Sequence, residues 1–481
     1  MDTLLPGAPA PATAGLLRAA PWMDEAGRRG PFELYDQAVL GEIRLLLIGA
    51  GPTRWFVPVL DADPGQPAAG TPAFDRAVVD ALRTGLRLPT LRGHVIEFRG
   101  TPAAYRGPLP FDPGWCSNAL SLLDLGGIAH THKSYRRIGT GNREAELLRL
   151  MADGGRTQQP VGDYTYVDTA TGAREPLGVL YRFAEGEGLN VPLRAGIRAL
   201  WPLLADDVEP GAAVDASQRE LVAPLRETGH FLRDFHRELA ERLGPHPEFP
   251  AKAVLDETAE QLARLTPQIL ADTRYPVPVR EAAATGLSRE LTRTAGLPAR
   301  PWPAGPCHGD LHLSHVLRGE RADGGWELCV IDLSTPRADP ADPATAQSPW
   351  QDLAALTRGL EIFTADEFSD HAAGVLGMDP EDTCRTALLQ AAGARPDTPG
   401  WTEERLAGLA RLRRAAGLWA ARAGNLLADA GPDRDAHPAW RLLRLRRLIH
   451  ELDYAYAHDR AYHAAINLRH AVEAPGLPAG G

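Results

Sequence analysis

The hydrophobic pattern of the chain changes period near residue 190, and this change constrains the fold more than any other feature of the sequence. Before it, segments such as FELYDQAV, EIRLLLIG and HVIEFRG alternate apolar and polar residues, as β-strands do. After it, segments such as ELVAPLRETGHFLRDFHRELAERLG repeat apolar residues at helical spacing. The 481-residue sequence therefore predicts an α+β protein with a strand-rich first part and a mostly helical second part.

Three consecutive parts follow from this pattern. Residues 1–108 contain strand-like runs around the helical segment PAFDRAVVDALRTGL and end in the Pro- and Gly-rich stretch GTPAAYRGPLPFDPGW, which predicts a small α+β subdomain. Residues 109–190 contain strands, the helix NREAELLRLMADGG and a hairpin with the turn TATGAR, which predicts an antiparallel sheet carrying one helix. Residues 191–481 are predicted to be helical apart from CHGDLHLSHVL and ELCVIDLS.

Composition excludes several classes of protein. The net charge of −11 and the lack of Lys/Arg blocks argue against nucleic-acid binding. We expect no membrane span, because no run of 18 apolar residues occurs, and no signal peptide, because MDTLLPGAPAPATAG has neither a basic nor an apolar region. The four cysteines show no metal-type spacing, so we expect reduced thiols and a cytoplasmic location.

Two acidic residues stand where phosphoryl-transfer chemistry needs them. Asp310 lies in the turn of HGDLHLSHVL, after a Pro- and Gly-rich approach, and Asp332 lies at the end of the strand-like run WELCVID. Phosphoryl transfer requires a proton acceptor near the attacking hydroxyl, carboxylates on Mg²⁺ and a cation on the nucleotide phosphates. We therefore expect the two carboxylates to serve one metal–phosphate site.

The segment HGDLHLSHVL…VIDLS resembles the catalytic motif of the aminoglycoside phosphotransferase and choline kinase superfamily, His-Gly-Asp-x-His-x-x-Asn followed by Ile-Asp. The resemblance implies a bilobal protein-kinase-like fold with an N-terminal cap subdomain, an antiparallel-sheet N-lobe and a helical C-lobe. It assigns Asp310 as the catalytic base and Asp332 as the Mg²⁺ ligand, with His308 and His312 bracing the loop. His315 stands at the family's Asn position, so it either ligates the metal or holds a metal-bound water or Asp310 by a hydrogen bond.

Other segments resemble the maltokinase-like branch of this superfamily. The stretch HKSYRRIGTGNREAELLRLMADGG implies that Lys133 holds the ATP phosphates and pairs with a helical glutamate, Glu146 in preference to Glu144. The stretch CSNALSL resembles the phosphate loop of that branch. The further ATP-binding residues implied are Ser117 and Asn118 at the phosphates, and Arg182, Phe183 and Ala184 at the adenine.

The sugar site is predicted from the later segments. SPWQDLAALTRGL resembles the Ser-Pro-x-x-Asp segment of the branch, in which Asp352 accepts backbone N–H groups of the catalytic loop, with direct sugar contact as the alternative. The further candidates for sugar contact are Gln347, Trp419, Asn425 and Glu451. DLSTPR departs from the Phe-Glu-Gly-Glu-Pro run of maltokinases, which implies altered substrate recognition.

The resulting hypothesis is an ATP- and Mg²⁺-dependent kinase similar to the actinobacterial glucosamine kinases, which would form glucosamine 6-phosphate. The alternatives are a maltokinase, an aminoglycoside phosphotransferase or, in another class, a nucleotide-binding regulator with a kinase fold and no catalysis. We expect a monomer whose partner is a small-molecule sugar.

Overall fold

The computed structural model describes residues 7–473 except 52, 115, 206–207, 298–299, 322–325, 397–398, 429–433 and 435–436. Two compact units divide the chain. The first comprises Met1–Glu185 and Cys329–Ser334, and the second comprises Gly186–Leu328 and Thr335–Gly481. The chain thus leaves the first unit at Glu185, returns to it for one short segment, and completes the second unit afterwards.

The first unit contains two antiparallel sheets. Its strands are β1 (Phe32–Leu40), β2 (Ile43–Ala50), β3 (Thr53–Leu60), β4 (Arg87–Pro89), β5 (Val95–Gly100), β6 (Tyr105–Pro108), β7 (Ala119–Leu125), β8 (Ile128–Ser134), β9 (Arg137–Ile138), β10 (Pro160–Val167) and β11 (Arg174–Arg182). The strand order is β1-β2-β3-β9 in the smaller sheet and β4-β5-β10-β11-β8-β7-β6 in the larger one.

The α-helices that accompany these sheets in the described residues are α1 (Pro11–Ala19), α2 (Glu25–Arg29), α3 (Pro72–Thr84) and α4 (Glu144–Met151). Helix α3 begins after Thr71, whose side chain accepts the Phe74 N–H, and ends at Gly85, which has a left-handed φ of 62°. Its side chains Phe74, Val78 and Leu82 are fully buried in the core shared by the two sheets. Capping and apolar spacing therefore fix α3 as the sequence predicted.

The predicted boundary at residue 108 falls at the end of a paired strand. Pro108 at the end of β6 pairs with Leu123 of β7, so the segments before and after this position share one sheet. The strand β8 is paired on both sides, with Lys133 opposite Leu120 of β7 and Val179 of β11. The division into three parts stays a prediction, whereas the position of Lys133 in the middle of the sheet is a structural fact.

The second unit is mainly helical. Its helices are α5 (Asn190–Arg198), α6 (Leu200–Ala205), α7 (Pro210–Ser217), α8 (Val222–Leu243), α9 (Ala251–Ala271), α10 (Val277–Ala295), α11 (Pro349–Leu376), α12 (Pro380–Ala391), α13 (Glu403–Leu427), α14 (Pro438–Ala457) and α15 (Ala461–Glu473). Strands β12 (Glu187–Gly188), β13 (Val316–Glu320) and β14 (Trp326–Val330) form a sheet in that order, and β14 leads into the segment 329–334.

Helix packing in the second unit depends on close approaches of the backbone. One core cluster joins α9, α10, α11, α12, α14 and α15. At Gly286 on α10 an added Cβ would lie 2.1 Å from the carbonyl oxygen of Ala471 on α15, so only glycine fits there. At Gly374 on α11, in contrast, an added Cβ would meet no atom within 4 Å.

Helix α11 starts beside the segment HGDLHLSHVL, whose His308 and Gly309 N–H groups donate to Asp352. Ser348 and Gln351 form a reciprocal capping box, and Pro349 occupies the first turn, where its missing N–H costs nothing. The helix ends at Gly377, with a left-handed φ of 64°.

Among the described residues, the structure contains no helix that combines the length and the apolar character needed to span a bilayer.

Candidate functional site

The first unit holds an inward-facing lysine between two carboxylates. The Lys133 ammonium lies 2.9 Å from a carboxylate oxygen of Glu144, and it also donates to Asp332. The Tyr135 hydroxyl donates to the same oxygen of Glu144 at 2.9 Å, and the other oxygen lies 3.1 Å from the ammonium. Only 6% of the Lys133 side chain and 4% of the Glu144 side chain are exposed. A cation is thus fixed in the interior at the position the sequence predicted for contact with phosphates.

The glutamate that pairs with Lys133 is Glu144, and the preference for Glu146 was wrong. Glu146 forms an ion pair with Arg143 at 2.6 Å and is 38% exposed. The reason is helical geometry: the buried positions of α4 are 144, 145, 147, 148 and 151, and they include the i, i+3, i+4, i+7 stripe that begins at Glu144. Glu144 lies on this stripe and Glu146 does not, so the apolar spacing of α4 already contained the signal.

The charge of Lys133 is secured by its neighbours. Burial alone would lower the pKa of Lys133, but the carboxylates of Glu144 and Asp332 outweigh burial and raise this pKa above its ordinary value. The ammonium is therefore protonated at neutral pH and available to an anionic ligand.

Asp332 has an unusual backbone conformation. Its φ is 63°, in the left-handed region, which few non-glycine residues adopt, although aspartate does so more readily than most. It lies just beyond the end of β14, as the sequence predicted, and the Ser334 hydroxyl donates to its carbonyl at 3.1 Å. Strain of this kind is concentrated at functional positions.

The turn before β7 carries the predicted phosphate-loop residues and a cation that the sequence reasoning missed. Ser117 is exposed, and the Asn118 side-chain oxygen accepts the Arg136 N–H at 3.4 Å. The Arg136 guanidinium donates to the Cys116 carbonyl at 2.9 Å. Arg136 therefore places positive charge at the turn, and its position just after the Lys133 strand was the only sequence signal for it.

The predicted adenine-contacting segment follows β11. The Arg182 N–H donates to the Gln159 carbonyl at 2.8 Å, and the Phe183 N–H donates to the Ala129 carbonyl at 3.0 Å. These two donors are engaged within the protein, so a base would have to use the carbonyl oxygens of the segment or Ala184. The adenine contact stays a prediction.

The second unit contains the loop around Asp310. Asp352 is 2% exposed and accepts the N–H groups of His308 and Gly309, the latter at 3.1 Å. The Asp352 carboxylate also contacts the side chain of His236, whose Nε2 lies 2.8 Å from one of its oxygens. Asp352 therefore holds the backbone of the loop at His308 and Gly309, as the sequence predicted, and the alternative of direct sugar contact is not favoured.

Asp310 itself is exposed while its neighbours anchor it. Leu311 and Leu313 are buried, and the Asp310 N–H donates to Nδ1 of the fully buried His308 at 3.2 Å. Gly309 has a φ of 97°, which lets the chain turn sharply just before the aspartate. The loop thus presents the carboxylate of Asp310 to solvent on a fixed backbone.

His315 is tied to this loop. It ends a short 3₁₀ helix, Leu313–His315, and its Nδ1 lies 2.8 Å from the backbone carbonyl of Asp310. The hydrogen bond to Asp310 that was one of the predicted roles is present, but it reaches the main chain. The ring centroids of His312 and His315 lie 3.4 Å apart. Asp310, His312 and His315 each offer one possible metal-ligand atom, and these three atoms lie within 4.8 Å of one another.

Gln347 does not have the predicted role of binding sugar. It is buried, its side-chain oxygen accepts the Cys307 N–H at 3.2 Å, and its amide nitrogen donates to the Pro336 carbonyl at 3.0 Å. Both ends of the amide therefore connect the loop containing Cys307 to the segment containing Pro336, and Gln347 orders the site without facing it.

Two of the remaining sugar candidates are also engaged elsewhere. Trp419 is fully buried in α13, so its ring cannot stack on a pyranose. Glu451 accepts hydrogen bonds from Arg358 at 3.2 Å and Arg447 at 2.8 Å. The nearby Glu361 pairs with Arg358 as well, at 2.7 Å. Asn425 is exposed on α13 and stays a candidate.

Comparison with known proteins shows the fold. No family model matches the chain, and no curated protein sequence matches it. A solved structure described as "Glucosamine kinase in complex with glucosamine, ADP and inorganic phosphate" superposes with a TM-score of 0.52 over 98% of this chain and 100% of that chain, at 16% identity. A second crystal form of glucosamine kinase gives a TM-score of 0.53 over 97% and 100% of the two chains, at 18% identity. The chain therefore has the fold of solved glucosamine kinases over nearly its whole length, and the predicted kinase-like α+β fold is confirmed.

Proposed function

We propose that this chain is an ATP-dependent sugar kinase that transfers the γ-phosphate to the 6-hydroxyl of glucosamine. The buried Lys133, held between Glu144 and Asp332, carries the proposal. Burying an ammonium group is costly, and replacing such a cluster by apolar residues is often neutral or stabilising. A strongly perturbed lysine beside a strained aspartate is more typical of a phosphate-binding site than of a structural core.

Lys133 and Arg136 supply the positive charge of the proposed nucleotide site. Lys133 is protonated at neutral pH and would contact the phosphates, with Glu144 fixing its direction. Arg136 adds a cation at the turn of Ser117 and Asn118. These groups bind and orient a polyphosphate, and positioning with charge stabilisation accounts for most of the catalysis in phosphoryl transfer.

Asp310 is the proposed proton acceptor for the sugar hydroxyl. Its carboxylate is exposed, while His308 and Asp352 fix the backbone on either side of it. A base on a rigid loop accepts the proton without first having to be ordered.

The donor set of the site fits Mg²⁺. Asp332 presents carboxylate oxygens, the ligands that Mg²⁺ prefers, and is the proposed protein ligand. When bound, Mg²⁺ neutralises charge on the phosphate oxygens. The imidazole of His315, predicted as a second ligand, suits Mg²⁺ less well, and its hydrogen bond to the Asp310 backbone gives it a supporting role.

The choice of glucosamine rests on the fold likeness to a glucosamine kinase solved with that sugar and on the sequence DLSTPR. In this run Ser334 is exposed and Thr335 is buried, in place of the acidic run of maltokinases. Lys133, Asp310 and Asp332 are all present, which favours catalysis over a non-catalytic regulator. Maltose and aminoglycosides are the competing acceptors.

The test is an assay of ADP release with ATP and Mg²⁺ and, separately, glucosamine, glucose, maltose and kanamycin. We expect turnover of glucosamine to exceed that of the other acceptors and the product to be the 6-phosphate by phosphorus NMR. The matched control is Asp310→Asn, which should lower kcat by roughly 100-fold or more while leaving the melting temperature nearly unchanged. Turnover of maltose alone would refute the choice of sugar, and ATP binding without turnover of any acceptor would refute the kinase.

A further inference from the structure

We propose that Asp310, His312 and His315 form a binding site for a divalent transition metal such as Zn²⁺, distinct from the Mg²⁺ role assigned to Asp332. The three side chains offer one ligand atom each, and these atoms all lie within 4.8 Å of one another. They come from one short segment of the second unit, so the site is built by local backbone structure.

The local conformation explains why the three side chains meet. Asp310 and His312 are exposed while Leu311 and Leu313 are buried, and this alternation turns the two polar side chains to the same side. His312 then caps the 3₁₀ helix that ends at His315. The turn that follows the extended His312 brings the two imidazole centroids to 3.4 Å from each other.

Hydrogen bonds set the ring nitrogens for metal binding. Nδ1 of His315 lies 2.8 Å from the Asp310 carbonyl, which can only accept, so this nitrogen carries the proton and Nε2 carries the lone pair. Nδ1 of His312 lies 2.8 Å from the Ser314 hydroxyl, which holds the orientation of this ring. Histidine ligands of metals are commonly held in this way through their other nitrogen.

The ligand set selects the metal. Two imidazoles and one carboxylate suit Zn²⁺, Co²⁺ or Ni²⁺, whereas Mg²⁺ requires oxygen ligands in an octahedral arrangement. Three protein ligands with an open fourth position are usual for zinc sites that keep a bound water or another ligand. Tetrahedral bonds of about 2.0–2.1 Å place the ligand atoms closer together than the 4.8 Å limit, so binding requires small side-chain rotations.

The consequence for activity rests on the proposed function. A metal bound to the Asp310 carboxylate removes the base that accepts the sugar proton, so micromolar Zn²⁺ is expected to inhibit a reaction supported by Mg²⁺. The site therefore makes the kinase sensitive to transition metals through its own catalytic loop.

Metal binding is tested without reference to activity. The protein is titrated with Co²⁺ in the absence of nucleotide and followed by visible absorption, and Zn²⁺ is then added to displace Co²⁺. We expect a d–d band with a stoichiometry of about one in the unmodified chain, and at least a tenfold loss of affinity in both His312→Asn and His315→Asn. The exposed His458, outside the cluster, gives the control His458→Asn, which should keep the band.

The outcomes separate the two proposals. Lack of a band in the unmodified chain, or a band of unchanged affinity in both histidine variants with native melting curves, would overturn the metal site. A band that is lost in both variants supports the metal site even if no sugar is phosphorylated, and in that case only the kinase is refuted.

Discussion

Replacing Glu144 by Gln removes one of the two carboxylates beside the buried ammonium of Lys133, and the structure sets the size of the effect. Breaking a buried ion pair by removing one partner costs about 3–5 kcal/mol. The lower figure applies, because Asp332 still neutralises Lys133 and a glutamine can keep the hydrogen bond from Tyr135. We therefore expect about 3 kcal/mol. For a cooperative unit of the size of Met1–Glu185 with Cys329–Ser334, this lowers the melting temperature by roughly 6–12 °C.

The assay is thermal unfolding of the nucleotide-free protein, combined with kcat/KM for ATP. Since Lys133 loses its fixed direction, kcat/KM should fall by roughly 100-fold. The matched control is Glu146→Gln on the same helix, whose exposed pair with Arg143 should contribute less than about 1 kcal/mol.

The opposite ranking would refute this reasoning. If Glu146→Gln lowered the melting temperature and kcat/KM more than Glu144→Gln, the glutamate first preferred from the sequence would be the functional partner of Lys133. Equal, small effects of both variants would show that neither glutamate fixes the lysine.

Three further predictions concern the helical unit. Asp352→Asn should cost about 3 kcal/mol in chemical unfolding and lower kcat, because charged acceptors of buried N–H groups are lost; an unchanged midpoint would contradict the loop-supporting role. Burial would raise the pKa of Glu361, but Arg444 and Arg358 hold this pKa below its ordinary value of 4.5. The ionised Glu361 therefore stabilises the folded state above pH 4.5, and this contribution is lost as the pH falls further, through the lowered pKa. Glu361→Gln should therefore flatten the decline of the urea midpoint below pH 4.5, whereas the exposed Glu403→Gln should not. Gly286→Ala should destabilise by about 2–3 kcal/mol in thermal unfolding, and Gly374→Ala should be neutral or slightly stabilising.

The parts of the site that depend on chain order and local pattern could be predicted from the sequence. Lys133 on a strand, Asp310 in a turn and Asp332 after a strand were all placed correctly, because alternation and turn residues mark these positions directly. The capping of α11 and the support of the loop by Asp352 also follow from a local motif, since Ser348 and Pro349 identify the start of the helix.

The acceptor residues could not be predicted in the same way. Trp419 and Glu451 lie on amphipathic helices, and whether such a side chain faces a core, an arginine or a ligand depends on which helix packs against it. The prediction for Gln347 failed for a related reason, because its side chain bonds to Cys307, 40 positions away, and to Pro336, 11 positions away. These contacts are tertiary, and local periodicity carries no information about them. The apolar spacing of α4, in contrast, already placed Glu144 on the buried face and Glu146 off it, and this signal was missed.

The short segment Cys329–Ser334 has a consequence for how the first unit forms during synthesis. Lys133 and Asp332 are 199 positions apart, and the Val330 N–H donates to the Arg156 carbonyl at 2.8 Å. The ribosome therefore makes Gly186–Leu328, the first part of the second unit, before the last piece of the first unit, and helices α11 to α15 follow only afterwards. Until then Lys133 has Glu144 but not Asp332, so a nascent or proteolytic fragment ending at Glu185 would hold this buried cation with one carboxylate instead of two. Exchange of this unit between related genes would likewise require two separate pieces of coding sequence.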